Sequence, residues 1–282
     1  MVFEALISPM KAEQRPWQMI FLGALYSSMG VVLGLWIFRD YASLIMVFLT
    51  VMGCIPIVYN TIKFEEQKDE VTFEETSLLK EHWKALEVLM FLFIGITVSL
   101  TFWYVFLPNH YISNLFSSQT ATITSINSSA VGKVTDFDRF TKIFFNNFKV
   151  LLFCVLFSFL YGVGAIFILV WNASVIATAM GAVIRSNLAF AATKAGFEKI
   201  AAYFHAVSYG LLKYSPHGIP EILAYFVAGL AGGIISVAII KHTFGTKKFE
   251  NILIDTANLL MLSLGILLLA AILEVYVTPL IF

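Results

Sequence analysis

Ionisable side chains inside long apolar segments are the residues of this sequence that could carry chemistry. Glu274 is the clearest case, because it lies sixteen residues into an otherwise uncharged stretch that begins at Asn258. At about 1.5 Å per residue, Glu274 would lie about 24 Å along a helix and inside a bilayer core about 30 Å thick. A charged side chain at such a depth costs at least about 2.5–3.5 kcal/mol, which marks Glu274 as a candidate functional residue.

Three further polar residues are predicted to meet Glu274. One apolar segment ends at Asn172, and another is preceded by the sequence Ser-Pro-His-Gly-Ile-Pro-Glu, which contains His217 and Glu221. If these segments cross a membrane in alternating directions, all four side chains lie in the same leaflet. Pro220 is typical of the first turn of a helix, which would place Glu221 at the positive end of the helix dipole.

Three interpretations of the group Asn172, His217, Glu221 and Glu274 remain open. A structural cluster would satisfy its own buried hydrogen bonds. A proton- or substrate-binding site near a helix terminus is typical of transporters. A metal or hydrolytic site could use one His, two Glu and an amide, although no metal-ligand spacing indicates it. We therefore predict neither a catalytic residue, a metal nor a cofactor.

A second set of polar residues opens two of the apolar segments on the opposite leaflet. Asn146 and Asn147 precede one segment, and Asp255 and Asn258 precede another. Helix capping is the interpretation that we favour for this set.

The elements that position these residues follow from the distribution of charge. The chain has 282 residues, of which 59% are hydrophobic and 13% charged, against roughly 45–50% and 25% in a soluble domain. Six apolar windows are each long enough to span a bilayer and together contain one charged residue, Glu274. They are residues 17–38, 41–59, 88–107, 150–172, 222–240 and 258–280. The sequence predicts an all-α polytopic membrane protein with six transmembrane helices, forming a single membrane domain over residues 1–282.

Composition also argues against several classes of protein. The formal net charge is zero, which argues against nucleic-acid binding. Cys54 and Cys154, the only two cysteines, both lie inside apolar windows and form no CxxC site. Walker, HExxH and GxSxG patterns are absent, so we do not predict an enzyme.

The segments between the windows predict additional elements. Residues 1–16 have the pattern of an interfacial helix ending near Pro9, and Thr72 with Glu75 has the spacing of a capping box. Residues 113–129 are rich in Ser and Thr and predict an irregular loop. Residues 175–184 are too short to span and predict a re-entrant or interfacial turn. Residues 197–211 predict an amphipathic helix that lies on the membrane surface or caps the bundle, with an ordinary cytoplasmic connector as the alternative.

Six spans would place both termini on one side of the membrane. That side carries ten Lys and Arg residues and the other carries eight, which predicts cytoplasmic termini in a cell membrane. Glycines four residues apart, at 30 and 34 and at 229 and 233, predict close helix packing, either within the chain or in a homodimer.

The second half of the chain resembles a known family. Asn146-Asn147, Trp171-Asn172, the Pro-His-Gly-Ile-Pro-Glu element with the glycines after it, and Leu273-Glu274-Val275 are similar to the stage II sporulation protein M family over residues 140–282. The resemblance implies an integral membrane protein with a shared task for His217, Glu221 and Glu274. In endospore-forming bacteria the family's namesake belongs to a membrane complex with peptidoglycan-degrading enzymes and has no recognised catalytic activity of its own.

Two functions are therefore predicted. The first is a non-catalytic scaffold or subunit of a membrane complex, with membrane lipid and other proteins as partners. The alternative is a proton- or solute-coupled transporter or channel-like protein that uses Glu221, Glu274 and His217.

Overall fold

Every regular element in the described part of the chain is helical, which confirms the predicted fold class. The computed structural model describes residues 9–69, 75–128, 135–161, 164–240 and 246–281. The helices are α1 (Pro9–Gln14), α2 (Met19–Ile37), α3 (Ala42–Asp69), α4 (Glu75–Phe106), α5 (Asn109–Leu115), α6 (Ser117–Ser128), α7 (Asp136–Tyr161), α8 (Ala165–Ala192), α9 (Gly196–Ile240), α10 (Lys247–Ile272) and α11 (Thr278–Ile281). A π-helical turn, Leu273–Val277, joins α10 to α11.

Seven helices, rather than six, are long and apolar enough to span a membrane. The segments are Pro16–Ile37, Arg39–Phe64, Trp83–Phe106, Asp136–Phe159, Ala165–Ala192, Gly196–Ile240 and Phe249–Ile281. The extra helix arises because the predicted span 150–172 is divided between α7 and α8. Gly164 lies so close to α7 that a Cβ atom there would overlap the carbonyl oxygen of Phe157, so the chain can fold back at this point only with glycine.

Three predictions about the connecting segments are wrong. Residues 175–184 lie inside the continuous helix α8 and form no re-entrant turn. Residues 197–211 form the first part of α9 rather than a separate surface helix. The Ser- and Thr-rich residues 113–128 belong to α5 and α6 instead of an irregular loop, and Ser129 lies outside the described residues.

Helix α6 is held in the bundle by a buried glutamine. The hydroxyl of Ser43 donates to Gln119 Oε1 at 2.8 Å, and Gln119 Nε2 donates to Ser174 Oγ at 3.1 Å. A buried amide needs such partners, and here they come from α3 and α8. Gln119 therefore links α6 to α3 and α8, whereas Ser113, Ser117, Thr122 and Thr124 bond to carbonyl oxygens of their own segment.

The interfacial helix predicted for residues 1–16 and the capping box of Thr72 and Glu75 lie only partly within the described residues. Helix α1 begins at Pro9, where the interfacial helix was predicted to end, and residues 1–8 lie outside the described residues. Helix α4 begins at Glu75, while Thr72, the other half of the predicted capping box, is also outside them.

Glycines allow close contacts between helices within the chain. A Cβ atom at Gly23 would overlap the Leu92 carbonyl oxygen, and one at Gly95 would overlap the Ile20 carbonyl oxygen, so α2 and α4 touch through their backbones. A Cβ atom at Gly30 would lie 2.7 Å from the Met46 carbonyl oxygen of α3. Small residues on these faces thus serve packing within the chain.

Helix α9 lies at the centre of the second half of the bundle, in contact with α7, α8 and α10. Its direction relative to α8 follows from two contacts. Gly210 faces Ile184 near the end of α8, and Gly229 faces Ala165 at the start of α8. The two helices are therefore antiparallel, and α9 carries residues 211–228 through the interior of the bundle.

Candidate functional site

Helix α9 places His217 and Glu221 on one face, a single turn apart. Pro216 and Pro220 lie inside this helix, so the prediction that Pro220 begins a helix is wrong. Each proline removes one backbone donor without ending the helix, and membrane helices tolerate such positions where neighbouring groups satisfy the freed carbonyls. Glu221 is therefore not at a helix N-terminus and does not benefit from a helix dipole.

Helix α9 contacts the start of α11 through His217. The His217 Nδ1 atom lies 3.1 Å from Thr278 Oγ1, and the Thr278 hydroxyl donates to the Leu273 carbonyl oxygen at 3.0 Å. Glu221 lies one turn after His217, and Glu274 one turn before Thr278. Because α9 and α10 are antiparallel, Glu221 and Glu274 lie one turn from the His217–Thr278 contact on the same side, close enough for their charges to interact.

The π-helical turn Leu273–Val277 contains Glu274. The extra residue in this turn changes the direction in which the following side chains point, and such turns often occur at functional sites. The Thr278–Leu273 hydrogen bond spans five residues and closes the wide turn. Thus the local backbone, as well as the packing, orients Glu274 and Thr278.

Glu221 has two polar neighbours. The Tyr225 hydroxyl donates to Glu221 Oε1 at 2.8 Å, and Tyr225 is completely buried. The Asn147 amide of α7 lies beside the same carboxyl group. The predicted opposite-leaflet position of Asn147 is therefore wrong, because α8 adds a crossing that reverses the directions predicted for α9 and α10 and brings Glu221 to the level of Asn147.

The carboxyl pair is partly buried and lies midway along the contact between α8 and α9. Glu221 follows Gly210 by eleven residues and precedes Gly229 by eight, or about 16 and 12 Å along the helix. Two carboxyl groups that lie close together in a partly buried site of low dielectric repel each other when both are ionised. Such a pair is suited to sharing one proton or holding one cation.

Asn172 is not part of this site. Its Nδ2 donates to the Ile168 carbonyl oxygen on its own helix at 2.9 Å, and it lines a groove with Asn146 instead. The predicted group of four is thus reduced to His217, Glu221 and Glu274, with Asn147, Tyr225 and Thr278 added. The last two lie four residues after Glu221 and Glu274, a spacing that would have indicated them if the helix had been predicted to continue through Pro220.

The capping interpretation of the second polar set is also wrong. Helix α7 begins at Asp136, where Thr135 and Asp138 hydrogen-bond to each other, so Asn146 and Asn147 lie well inside it. The cap of α10 is Thr246, whose hydroxyl accepts from the Phe249 N–H at 3.2 Å.

The other two members of that set lie far from the carboxyl pair. Asp255 is nineteen residues before Glu274, about 28 Å along the helix, and Asn258 is exposed. Among the residues that the structure describes, no group of three His, Cys, Asp or Glu side chains is placed to hold a metal ion.

Comparison with known proteins identifies the family. No curated protein and no solved structure matches the chain. The sequence profile described as stage II sporulation protein M matches residues 88–279, which include the second part of α4, Gly164 between α7 and α8, and every residue of the carboxyl site. This match covers more than half of the chain and reaches further towards the N-terminus than the motifs at residues 140–282. The protein therefore belongs to the stage II sporulation protein M family.

Proposed function

We propose that the protein is a non-catalytic scaffold or subunit of a membrane complex, with the first part of α9 as the surface that contacts a protein partner. Helix α9 has 45 residues and would be about 67 Å long, more than twice the thickness of a hydrocarbon core. Gly210 of α9 still packs against Ile184 of the spanning helix α8, so the part of α9 before Gly210 is the part that we place beyond the membrane. Glu198 and Lys199 on that part fit an aqueous location.

Large apolar side chains on this extension are the observation that supports the proposal. Phe197, Ile200 and Phe204 are 83%, 66% and 76% exposed. They recur at helical spacing and form one face, which no other residue in the described part of the chain covers. Apolar surface of this kind outside the hydrocarbon is typical of a protein-interaction site.

Site-specific photo-crosslinking in native membranes tests this proposal. A photoreactive phenylalanine analogue replaces Phe197 or Phe204 in the full chain, and Phe137, which is 70% exposed at the start of α7, serves as the control. We expect one reproducible crosslinked protein from positions 197 and 204 and none from 137. The same partners at all three positions would contradict the proposal, and a self-crosslink alone would replace it with a homodimer.

A second candidate is a proton- or solute-coupled transporter or channel-like protein, supported by the Glu221–Glu274 pair next to a π-helical turn. Proton flux into proteoliposomes loaded with a pH-sensitive dye tests this function. Glu274→Gln should abolish the flux, whereas Glu250→Gln, at an exposed position near the start of α10, should retain it. Equal flux in the parent and Glu274→Gln would eliminate this candidate.

The prediction that both termini are cytoplasmic requires an even number of spans. Seven spans would place the termini on opposite faces, and each side would then carry nine Lys and Arg residues. The positive-inside rule would favour neither orientation. Reporter fusions at both ends distinguish the cases, because equal signals support six spans and opposite signals support seven.

A further inference from the structure

A groove of about 680 Å³ lies between α6, α7 and α8, separate from the carboxyl pair. Its volume is within the roughly 300–1,000 Å³ of small-molecule sites. Its lining on α7 extends from Asn146 to Phe157, eleven residues or about 16 Å. The groove is therefore long enough for an extended chain.

The two ends of the groove differ in polarity. Helices α7 and α8 run in opposite directions from the turn between them, so Asn146 and Asn172 both lie at the end away from that turn. Thr122 and Ser125 of α6 line the groove as well. None of the described residues that line the groove is charged.

The end near the turn is aromatic and open. Phe153, Phe157 and Phe167 line it and are 51%, 37% and 44% exposed. Since they lie on helices that span the membrane, this part of the groove opens sideways to lipid rather than to water. A ligand could therefore enter from the bilayer.

Asn172 provides hydrogen-bonding capacity at the polar end. Its Nδ2 donates a hydrogen bond to the Ile168 carbonyl oxygen. Its Oδ1 is bonded to no donor among the described residues, which leaves it able to accept from a ligand hydroxyl. The adjacent Asn146 has only a long hydrogen bond, of 3.4 Å, to Asn147 Oδ1. An amide pair without a nearby cation suits an uncharged, hydroxyl-bearing group.

We propose that this groove binds a lipid of the surrounding bilayer that has an uncharged, hydroxyl-bearing head, with diacylglycerol as its chemical type. The head contacts Asn146 and Asn172, and one acyl chain extends between the phenylalanines towards the α7–α8 turn. The groove has other lining residues than the carboxyl pair, although Asn146 bonds to Asn147, which lies beside Glu221, and lipid binding requires neither the scaffold nor the transport function.

Photolabelling tests the proposal. The purified full chain in phosphatidylcholine vesicles is labelled with a photoactivatable diacylglycerol, and the labelled peptides are mapped by mass spectrometry. We expect labelling to concentrate on residues 146–175 and to be competed by unlabelled diacylglycerol but not by phosphatidylglycerol. Even labelling of all lipid-facing helices would overturn the proposal, and equal competition by phosphatidylglycerol would overturn the uncharged head.

Two variants and a matched control identify the residues responsible. Asn172→Leu should lower specific labelling about tenfold by removing the amide, and Val150→Trp should lower it by filling the groove. Asn258→Leu, which changes an exposed asparagine of α10 outside the groove, should leave labelling unchanged. Labelling at the parent level in both groove variants would refute the site.

Discussion

Arg185 is expected to be a main stabilising contact between the two halves of the bundle. Its guanidinium donates to the carbonyl oxygens of Tyr104, Val105 and Leu107 at 3.1, 3.4 and 2.7 Å, and to Asn109 Oδ1 at 2.8 Å. The last carbonyls of a helix have no partner within the helix, so Arg185 of α8 satisfies the end of α4. The cation also interacts favourably with the negative end of the helix dipole.

The expected loss in Arg185→Ala follows from these contacts. A hydrogen bond to a charged group contributes about 1.5–3 kcal/mol, and two of the four bonds are short. Because the site is only partly buried, water can replace some of the lost hydrogen bonds. We therefore expect a loss of about 2–4 kcal/mol in the free energy of unfolding. In a chain of this size the loss corresponds to a fall of about 3–7 °C in Tm.

Thermal unfolding in detergent, followed by tryptophan fluorescence, measures this effect, since Trp103 lies next to the site. Arg185→Lys should recover about half of the loss, because an ammonium group cannot reproduce the forked geometry of a guanidinium. Arg139→Ala, at an exposed position on α7, should change stability by less than about 0.5 kcal/mol. If Arg185→Ala behaved like Arg139→Ala, the assigned role of Arg185 would be refuted.

Three further predictions concern packing. Gly95→Ala should lower the free energy of unfolding by about 1–3 kcal/mol, because the added Cβ would overlap the facing backbone. Gly265→Ala has open space around it and should be neutral or stabilising by up to about 1 kcal/mol. Chemical unfolding of the two variants measures the difference. Gln119→Leu should lower Tm and speed proteolysis at α6, since two buried hydroxyls lose a partner. Cys54 and Cys154 are fully buried, so maleimide should label them only after unfolding, and rapid labelling of the native protein would contradict the fold.

The membrane class and most of the spans could be predicted from local composition. A bilayer excludes charge, so apolar length alone locates α2, α3 and α4, and it shows Glu274 as an exception. The family motif around His217 and Glu221 is likewise local. These features depend on neighbouring residues in the chain, which is why no tertiary contact was needed to find them.

The direction of each helix, and hence the membership of the site, depended on contacts between distant residues. The turn at Gly164 divides one predicted span into two helices, and the added helix α8 reverses α9 and brings Glu221 to Asn147, whereas Asn172 lies on the side of α8 that lines the groove. The continuation of α9 through Pro220 likewise depends on its burial among α7, α8 and α10, because local propensity alone favours a helix start at proline. Apolar length reports that a segment crosses a membrane, whereas packing decides where it turns and which side chains meet.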